Sequence, residues 1–306
     1  MSGTVRPVDW AVFGGIVLLS LVLDRAVFGG VKPRVSFREA AIRSVFFILV
    51  GLLFSIYVWV REDAASAVTY LLAYVVEESL SIDNLFVFLV LFTYFKVNES
   101  QQQRVLVWGI VGAVVMRAIF IFLGSALLQR FHFMIFVFGG FLLFTGAKLL
   151  VRKEDEVDVE DNFALKLARR YLRTTPEMHG DHFFVVKDGV RYATPLFLVL
   201  LVVEFTDLLF AVDSVPAVLA ISNDVFVVYT SNIMAILGLR ALYFVLAGMM
   251  SRFHYLGTGL AVILIFIGAK MVASPWYHLS SVHSLIVIGL VLTTAVTASL
   301  LRKQEA

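Results

Sequence analysis

The sequence predicts an all-α polytopic membrane protein, and three observations carry that expectation. Hydrophobic residues make up 60% of the 306-residue chain and charged residues only 16%, where soluble domains carry about 25% charge. Crossing a bilayer takes about 20 predominantly apolar residues, and about nine candidate spans of that kind are present. The cations outside those runs fall mostly in alternate loops, as they do in proteins threaded through a membrane.

In chain order the spans are expected at 9–27, 40–60, 66–95, 104–128, 131–151, 194–222, 225–250, 253–273 and 281–301. The first run is too long, and wrongly flanked, for a cleavable signal peptide. The third is long for a single crossing, so it is expected to begin in the outer interface. Alternate loops hold Lys32, Arg34, Arg38 and Arg43, then Lys96 and Arg104, then Arg152 and Lys153, then Arg252, then Arg302 and Lys303. The opposite loops hold only Arg6, Arg61 and Arg130. This bias places the N-terminus outside and the C-terminus in the cytoplasm. Trp10, Trp59, Trp108 and Trp276 fall near span ends, where indole anchors belong.

One long loop, 152–193, is expected on the cytoplasmic side. It opens acidic, continues as an amphipathic FALKLARRYLRTT, and closes with FFVVKDGVRYA, two β-like runs about Asp188-Gly189 that read as a hairpin. His179, Asp181 and His182 lie between these pieces, and loop histidines of this kind are usually solvated.

The chain also repeats itself. RFHFMIFVFGGFLLFTGAKLL from Arg130 matches RFHYLGTGLAVILIFIGAKMV from Arg252 without a gap. Upstream, Arg117 matches Arg240 with one residue of slack. Asp83 then pairs with Asp213, Asn84 with Ser214, and Glu77 with Asp207. The units are spans 3–5 (66–151) and 6–8 (194–273) within one transmembrane domain, 1–306. Span 3 runs inward and span 6 outward, so the two units form an inverted-topology repeat, a construction common in secondary transporters.

The repeat gives the acids their meaning. A carboxylate at membrane depth costs several kcal/mol, roughly 2.5–3.5 for Asp on insertion scales. Inverted packing brings Glu77, Asp83, Glu204, Asp207 and Asp213 together near the midplane, with Glu78 close by. Arg117 and Arg240 are the bases available to balance them. A purely structural salt-bridge network leaves several of these acids unpaired, which burial penalises. A bound divalent cation with shared protons removes the excess. The chain has no cysteine, so thiolate ligation and disulfides are excluded, and all-oxygen ligation suits Mg²⁺, Ca²⁺ or Mn²⁺. Neutral oxygens are available from Ser81, Asn84, Thr206, Ser214 and Asn232. Of these Asn232 is the strongest, because a midspan amide needs a partner; hydroxyls in membrane helices more often bond back to their own backbone.

Glu204 and Asp207 share a helix face, whereas Asp207 and Asp213 lie six residues apart, about 240° around a regular helix. Pro216 offers a break that would turn Asp213 toward the site. Burial disfavours an ionised carboxylate and a bound cation favours it, so metal arrival would eject protons and protons would eject metal. No HExxH, Gly-x-Gly-Asp pair or phosphate-cradling glycine loop points to an enzyme. No basic patch points to nucleic acid, and no feature specifies an oligomer.

Three stretches, ESLSIDN at 78–84, TPLFLVLLVVEFTDLLFAVDSVPA at 194–217 and TSNIMAILGLRALYF at 230–244, resemble the TerC/Alx family of membrane proteins, within the LysE-type transporter superfamily. The likeness spans nearly the whole chain. It implies a bacterial inner-membrane location, Mn²⁺ export, metal homeostasis and a link to tellurium resistance. It implies too that Glu77, Asp83, Glu204, Asp207 and Asp213 handle the metal. The alternative reading is a metal-sensing scaffold that recruits partners through 152–193 without net transport.

Overall fold

The computed structural model describes residues 6–29, 35–131, 133–151, 170–187, 189–247, 255–277 and 279–301. They form α1 (Pro7–Phe28), α2 (Phe37–Arg61), α3 (Ala64–Tyr94), α4 (Glu99–Arg130), α5 (Met134–Val151), β1 (Phe184–Lys187), β2 (Val190–Ala193), α6 (Pro195–Leu219), α7 (Val225–Ala247), α8 (Leu256–Ala273) and α9 (Ser281–Leu301). The architecture is that of a polytopic all-α membrane protein. Among the described residues seven helices are long and apolar enough to cross a membrane. Outside that count stand α3, which carries Glu77, Glu78 and Asp83 along its 31 residues, and α8, whose described apolar stretch is the shorter Gly257–Ala273.

Polar caps set where helices begin. Ser36 Oγ accepts the Glu39 amide at 3.2 Å, Asp63 the Ser66 amide at 2.7 Å, and Asn98 closes a capping box with Gln101. Each satisfies an amide that the first turn leaves unpaired. Thr194 does the same for α6 through the Phe197 amide at 3.4 Å, with Pro195 at the first helical position.

α7 is the centre of the molecule. Its span is 78% buried, against 17% for α1, α5 and α9. α2 and α3 pack on it, α6 packs on α4 and α3, and α1 reaches it through Trp10, Phe13 and Asp24. A core cluster runs from Phe13 and Phe54 through Tyr70 and Phe92 to Phe226 and Tyr243. Leu52, Leu53, Val111, Ile119 and Leu290 are exposed, as lipid-facing side chains should be. Trp59, Trp108 and Trp276 are exposed too. Trp10 departs from the anchor expectation by turning inward, edge-on to Phe226 at 5.1 Å.

The tightest helix pair is α5 with α8. A Cβ on Gly139 would sit 3.1 Å from the Gly268 carbonyl oxygen, and one on Gly146 would sit 2.9 Å from that of Ala261. The small residues thus let two backbones touch. Gly139 faces Gly268 while Gly146 faces Ala261, so the two helices run antiparallel.

The expected hairpin is present. β1 and β2 pair antiparallel from Phe184 with Ala193 to Lys187 with Val190, and Gly189 supplies the left-handed turn residue at φ +75°. The hairpin is tied to the start of α4: Gln101 Nε2 donates to Gly180 O at 2.7 Å and Ser100 Oγ to Asp181 at 3.2 Å. His179 Nδ1 lies 2.8 Å from the Glu177 carbonyl oxygen. Residues 152–169, with the acidic stretch and most of the amphipathic one, lie outside the described residues.

One expectation is corrected here. α6 is not broken at Pro216: the helix continues through it to Leu219. The proline stands in the last turn, where losing one hydrogen bond to Val212 O is tolerated.

A candidate ion site built around Arg117

Four helices meet at one guanidinium. Arg117 of α4 is fully buried, as is Glu77 of α3, and Asp207 of α6 is nearly so. Arg117 Nη1 donates to Glu77 Oε1 in a close pair. The same nitrogen lies 3.2 Å from Asn232 Oδ1 on α7 and 3.4 Å from Ser214 Oγ on α6. Its Nη2 forms an ion pair with Asp207 Oδ1 at 3.6 Å. Asn232 Nδ2 donates to Glu77 Oε2 at 2.8 Å, and Ser81 Oγ to Glu77 Oε1 at 3.3 Å.

Glu77 and Asp207 thus share a single arginine, and the set is incompletely satisfied. Asp207 Oδ2, Arg117 Nε and Arg117 Nη2 are buried without a hydrogen-bond partner. Of these, Asp207 Oδ2 is an acceptor and the two Arg117 nitrogens are donors, and unpaired polar atoms in low dielectric are costly. Thr206 does not compete, because its hydroxyl bonds back to Val202 O at 2.7 Å.

A cavity of about 420 Å³ reaches the site, lined among others by Glu77, Asn84, Arg117, Thr145, Lys148 and Ser214. Lys148 is a wall residue that sequence reasoning placed only within a repeat motif. Its signal was present: a lysine three residues from the end of an 18-residue apolar helix.

The remaining predicted residues are spread around this centre. Glu204 is half-buried with its carboxylate against Gly112 of α4. It lines a separate cavity of about 20 Å³ with Asp207 and Arg240, room for one water. Glu78 points away from Arg117: its Oε1 lies 3.9 Å from where a Gly238 Cβ would be, its Oε2 is buried without a partner, and the Tyr74 hydroxyl is its polar neighbour. Asp83 and Asp213 lie within α3 and α6, but their side chains fall outside the described residues.

The guanidinium of Arg240, although Arg240 also lines the small cavity, is taken by a residue of α1. Its Nη2 meets Asp24 Oδ2 at 2.6 Å, and Arg43 Nε stands 3.5 Å from Asp24 Oδ1. Two arginines therefore share one buried aspartate, and Glu39 supports Arg43 at 3.3 Å. Arg43, read from the sequence as a loop cation, is buried here, and Asp24 drew no reading; each lies near a span end, where a charge normally reaches water. No group of three or more His, Asp or Glu close enough to hold a metal occurs among the described residues; the arginine stands between the acids.

Comparison with known proteins places this arrangement. The model of the integral membrane protein TerC family matches residues 62–306, which takes in α3 to α9 and every residue of the Arg117 cluster. The chain belongs to the TerC family. Among relatives, it is 44% identical over 306 residues to the Salmonella typhi protein named "Putative membrane-bound redox modulator Alx", covering 97% of this chain and 95% of that one. It is 43% identical to the Escherichia coli K12 protein of the same name, over 96% and 95% of the two chains. It is also 43% identical to an uncharacterized membrane protein of Myxococcus xanthus, over 97% and 93%. No solved structure matches. As a TerC-family protein the chain is an integral membrane protein, with the Arg117 cluster inside its family-matching region.

Proposed function

We propose that this chain is a secondary transporter that exports hard divalent cations, foremost Mn²⁺, in exchange for protons. The observation that carries the reading is the sharing of Arg117 by Glu77 and Asp207. These acids occupy matching positions in the two halves, on helices too apolar for charge unless the charge is used. In this reading Arg117 is the internal counter-ion of the cation-free site. An arriving dication takes over Glu77 and Asp207, with Asn84, Asn232 and Ser214 as neutral oxygens, and Arg117 withdraws. Entry of two positive charges into a closed, low-dielectric site is balanced by release of protons from the acid set. The set includes Glu204, Glu78, Asp83 and Asp213. The hard-oxygen donor set favours Mn²⁺, Mg²⁺ or Ca²⁺ over softer ions. No covalent step is needed, so the reading assigns no enzymatic activity.

The reading includes nine spans, with α3–α5 and α6–α8 as inverted repeats, the N-terminus outside and the 152–193 loop and C-terminus in the cytoplasm of a bacterial inner membrane. What supports the repeat is reciprocity of contacts. Gly139 and Ala261 are equivalent in the repeat, as are Gly146 and Gly268, and Gly139 meets Gly268 while Gly146 meets Ala261. That exchange of partners is what a two-fold axis between α5 and α8 requires. The relatives named for redox modulation point to another activity, but this chain carries no cysteine and so no thiol–disulfide couple of its own.

The test is transport by the purified protein in sealed vesicles holding a Mn²⁺-sensitive dye. An imposed proton gradient should drive Mn²⁺ movement, and Asp207→Asn should abolish it. Equal flux in that variant refutes the mechanism. A chain deleted for 152–193 that still moves Mn²⁺ separates a carrier from a scaffold.

A further inference from the structure

The open cavity and its repeat counterpart are in opposite states. Lys148 is exposed at the edge of the cavity, with Thr145 and Leu149 part-buried in its wall. The equivalent of Thr145 is Ile267, 1% exposed; of Phe141, Ile263 at 0%; and of Leu149, Met271 at 3%. Lys270, the equivalent of Lys148, is part-buried. One sequence pattern thus lines an accessible cavity in the first unit and a sealed contact in the second.

The lysines of the two places lie toward opposite ends of the α5–α8 pair, while Ile263, level with Phe144, stands near its middle. In the antiparallel α5–α8 pair, Lys148 and Lys270 are about eleven residues apart along the axis, or about 17 Å. The sealed side is a buried apolar cluster that brings Leu72 and Val76 of α3 and Ile288 of α9 against Ile263, Ile267 and Met271 of α8. α9 packs on both α8 and α3, and it belongs to neither repeat unit, so it is the element free to uncover the cluster.

We propose that Leu72, Val76, Ile263, Ile267, Met271 and Ile288 form the closed gate of a second vestibule, which opens on the face opposite the Lys148 cavity. Lys270 stands at its mouth, and movement of α9 and α3 relative to α8 opens it. The inference rests on the transport reading and assigns that pathway its second door. Two repeats of like sequence in unlike states can exchange states by rocking against each other about the ion site. A cation that binds the two arrangements unequally shifts their balance. The gate is apolar because its closed state must exclude water and ions from Arg117, Glu77 and Asp207. The lysine at each mouth sets a positive charge where a dication leaves the channel, which favours release over lingering.

The chain has no native cysteine, so single-cysteine variants report directly. Thr145→Cys and Ile267→Cys, with Leu149→Cys and Met271→Cys as a second and more conservative pair, are placed in the full-length protein in oriented vesicles. A membrane-impermeant maleimide is added from either face, with and without Mn²⁺, and Mn²⁺ flux is followed in parallel. Thr145→Cys and Leu149→Cys should label from one face without metal. Ile267→Cys and Met271→Cys should label from the other face only, at least tenfold faster while Mn²⁺ is supplied to the cavity face. Labelling of both pairs from the same face overturns the gate. So does inertness of Ile267→Cys and Met271→Cys under every metal and pH condition, whether or not Mn²⁺ moves. If the two faces label as expected while no Mn²⁺ flux is seen, with the acceleration produced by Mg²⁺, Ca²⁺ or acid, the gate stands and the assignment of Mn²⁺ falls.

Discussion

Replacing Glu77 with Gln is the sharpest probe of the central cluster. The substitution keeps the side-chain volume and removes only the charge that Arg117 donates into. Glu77 also accepts from Asn232 at 2.8 Å and Ser81 at 3.3 Å, and an amide keeps one acceptor oxygen for one of them. Arg117 retains Asp207, but at 3.6 Å rather than in close contact. Removing one partner of a buried ion pair costs about 3–5 kcal/mol, and with Asp207 left in place the lower end, about 3 kcal/mol, is expected. That is more than a hundredfold in the folded-to-unfolded ratio, since each 1.4 kcal/mol is about tenfold. The assay is reversible unfolding in mixed detergent–SDS micelles, run as a double-mutant cycle with Arg117→Met. Arg117→Met alone strands two buried acids. The double variant should be more stable than the sum of single effects allows, by about 2 kcal/mol of coupling. Additivity within about 0.5 kcal/mol, or a Glu77→Gln protein as stable as the parent, refutes the pairing.

Asp24→Asn should destabilise by about 3 kcal/mol, because it leaves Arg43 and Arg240 facing one another with side chains only 6% and 22% exposed; a thermal melt in detergent within 2 °C of the parent contradicts this. Gly146→Val drives a side chain into Ala261 O and Ile265, whereas Gly140→Val meets nothing within 4 Å; the first should cost about 1–3 kcal/mol by overpacking and the second should be near neutral, and equal losses in unfolding titrations remove the α5–α8 contact from the account. At the start of α3 the Ser66 amide, donating at 2.7 Å, holds the exposed Asp63 carboxyl below its usual range. A depressed acid stabilises above its ordinary pKa and loses that contribution as pH falls. Hydrogen-exchange protection of Ser66 should therefore fade on acidification below about pH 4, the usual carboxylate range, and an Asp63→Asn protein should lack that step.

Much of this molecule is written in local patterns. The apolar runs foretold the helix bounds to within a few residues, and seven of the helices are long and apolar enough to cross a membrane; α9, for one, begins at Ser281 and ends at Leu301 as expected. Asp188-Gly189 between two β-branched runs specified the hairpin, because a two-residue turn needs φ > 0 and glycine supplies it. The candidate acids stood out because charge inside an apolar run is expensive and therefore rare. Counting residues in the sequence sets Glu77 against Asp207, and in the structure both contact Arg117.

The tertiary structure decided who pairs with whom. Arg117 and Arg240 stand in similar stretches of sequence, yet one is enclosed by Glu77, Asp207 and Asn232 while the other is held by Asp24 of α1. No periodicity encodes that, since α1, distant in sequence from α7, supplies the aspartate. Glu77 and Glu78 are neighbours in sequence, but a helix turns about 100° per residue, so only one faces the guanidinium. Pro216 reads as a break but is accommodated within the last turn of α6. Sequence determines which segments enter the membrane and which charges go with them, because those costs are paid residue by residue. Which charges meet depends on helix rotation and packing, and these are properties of the assembled bundle.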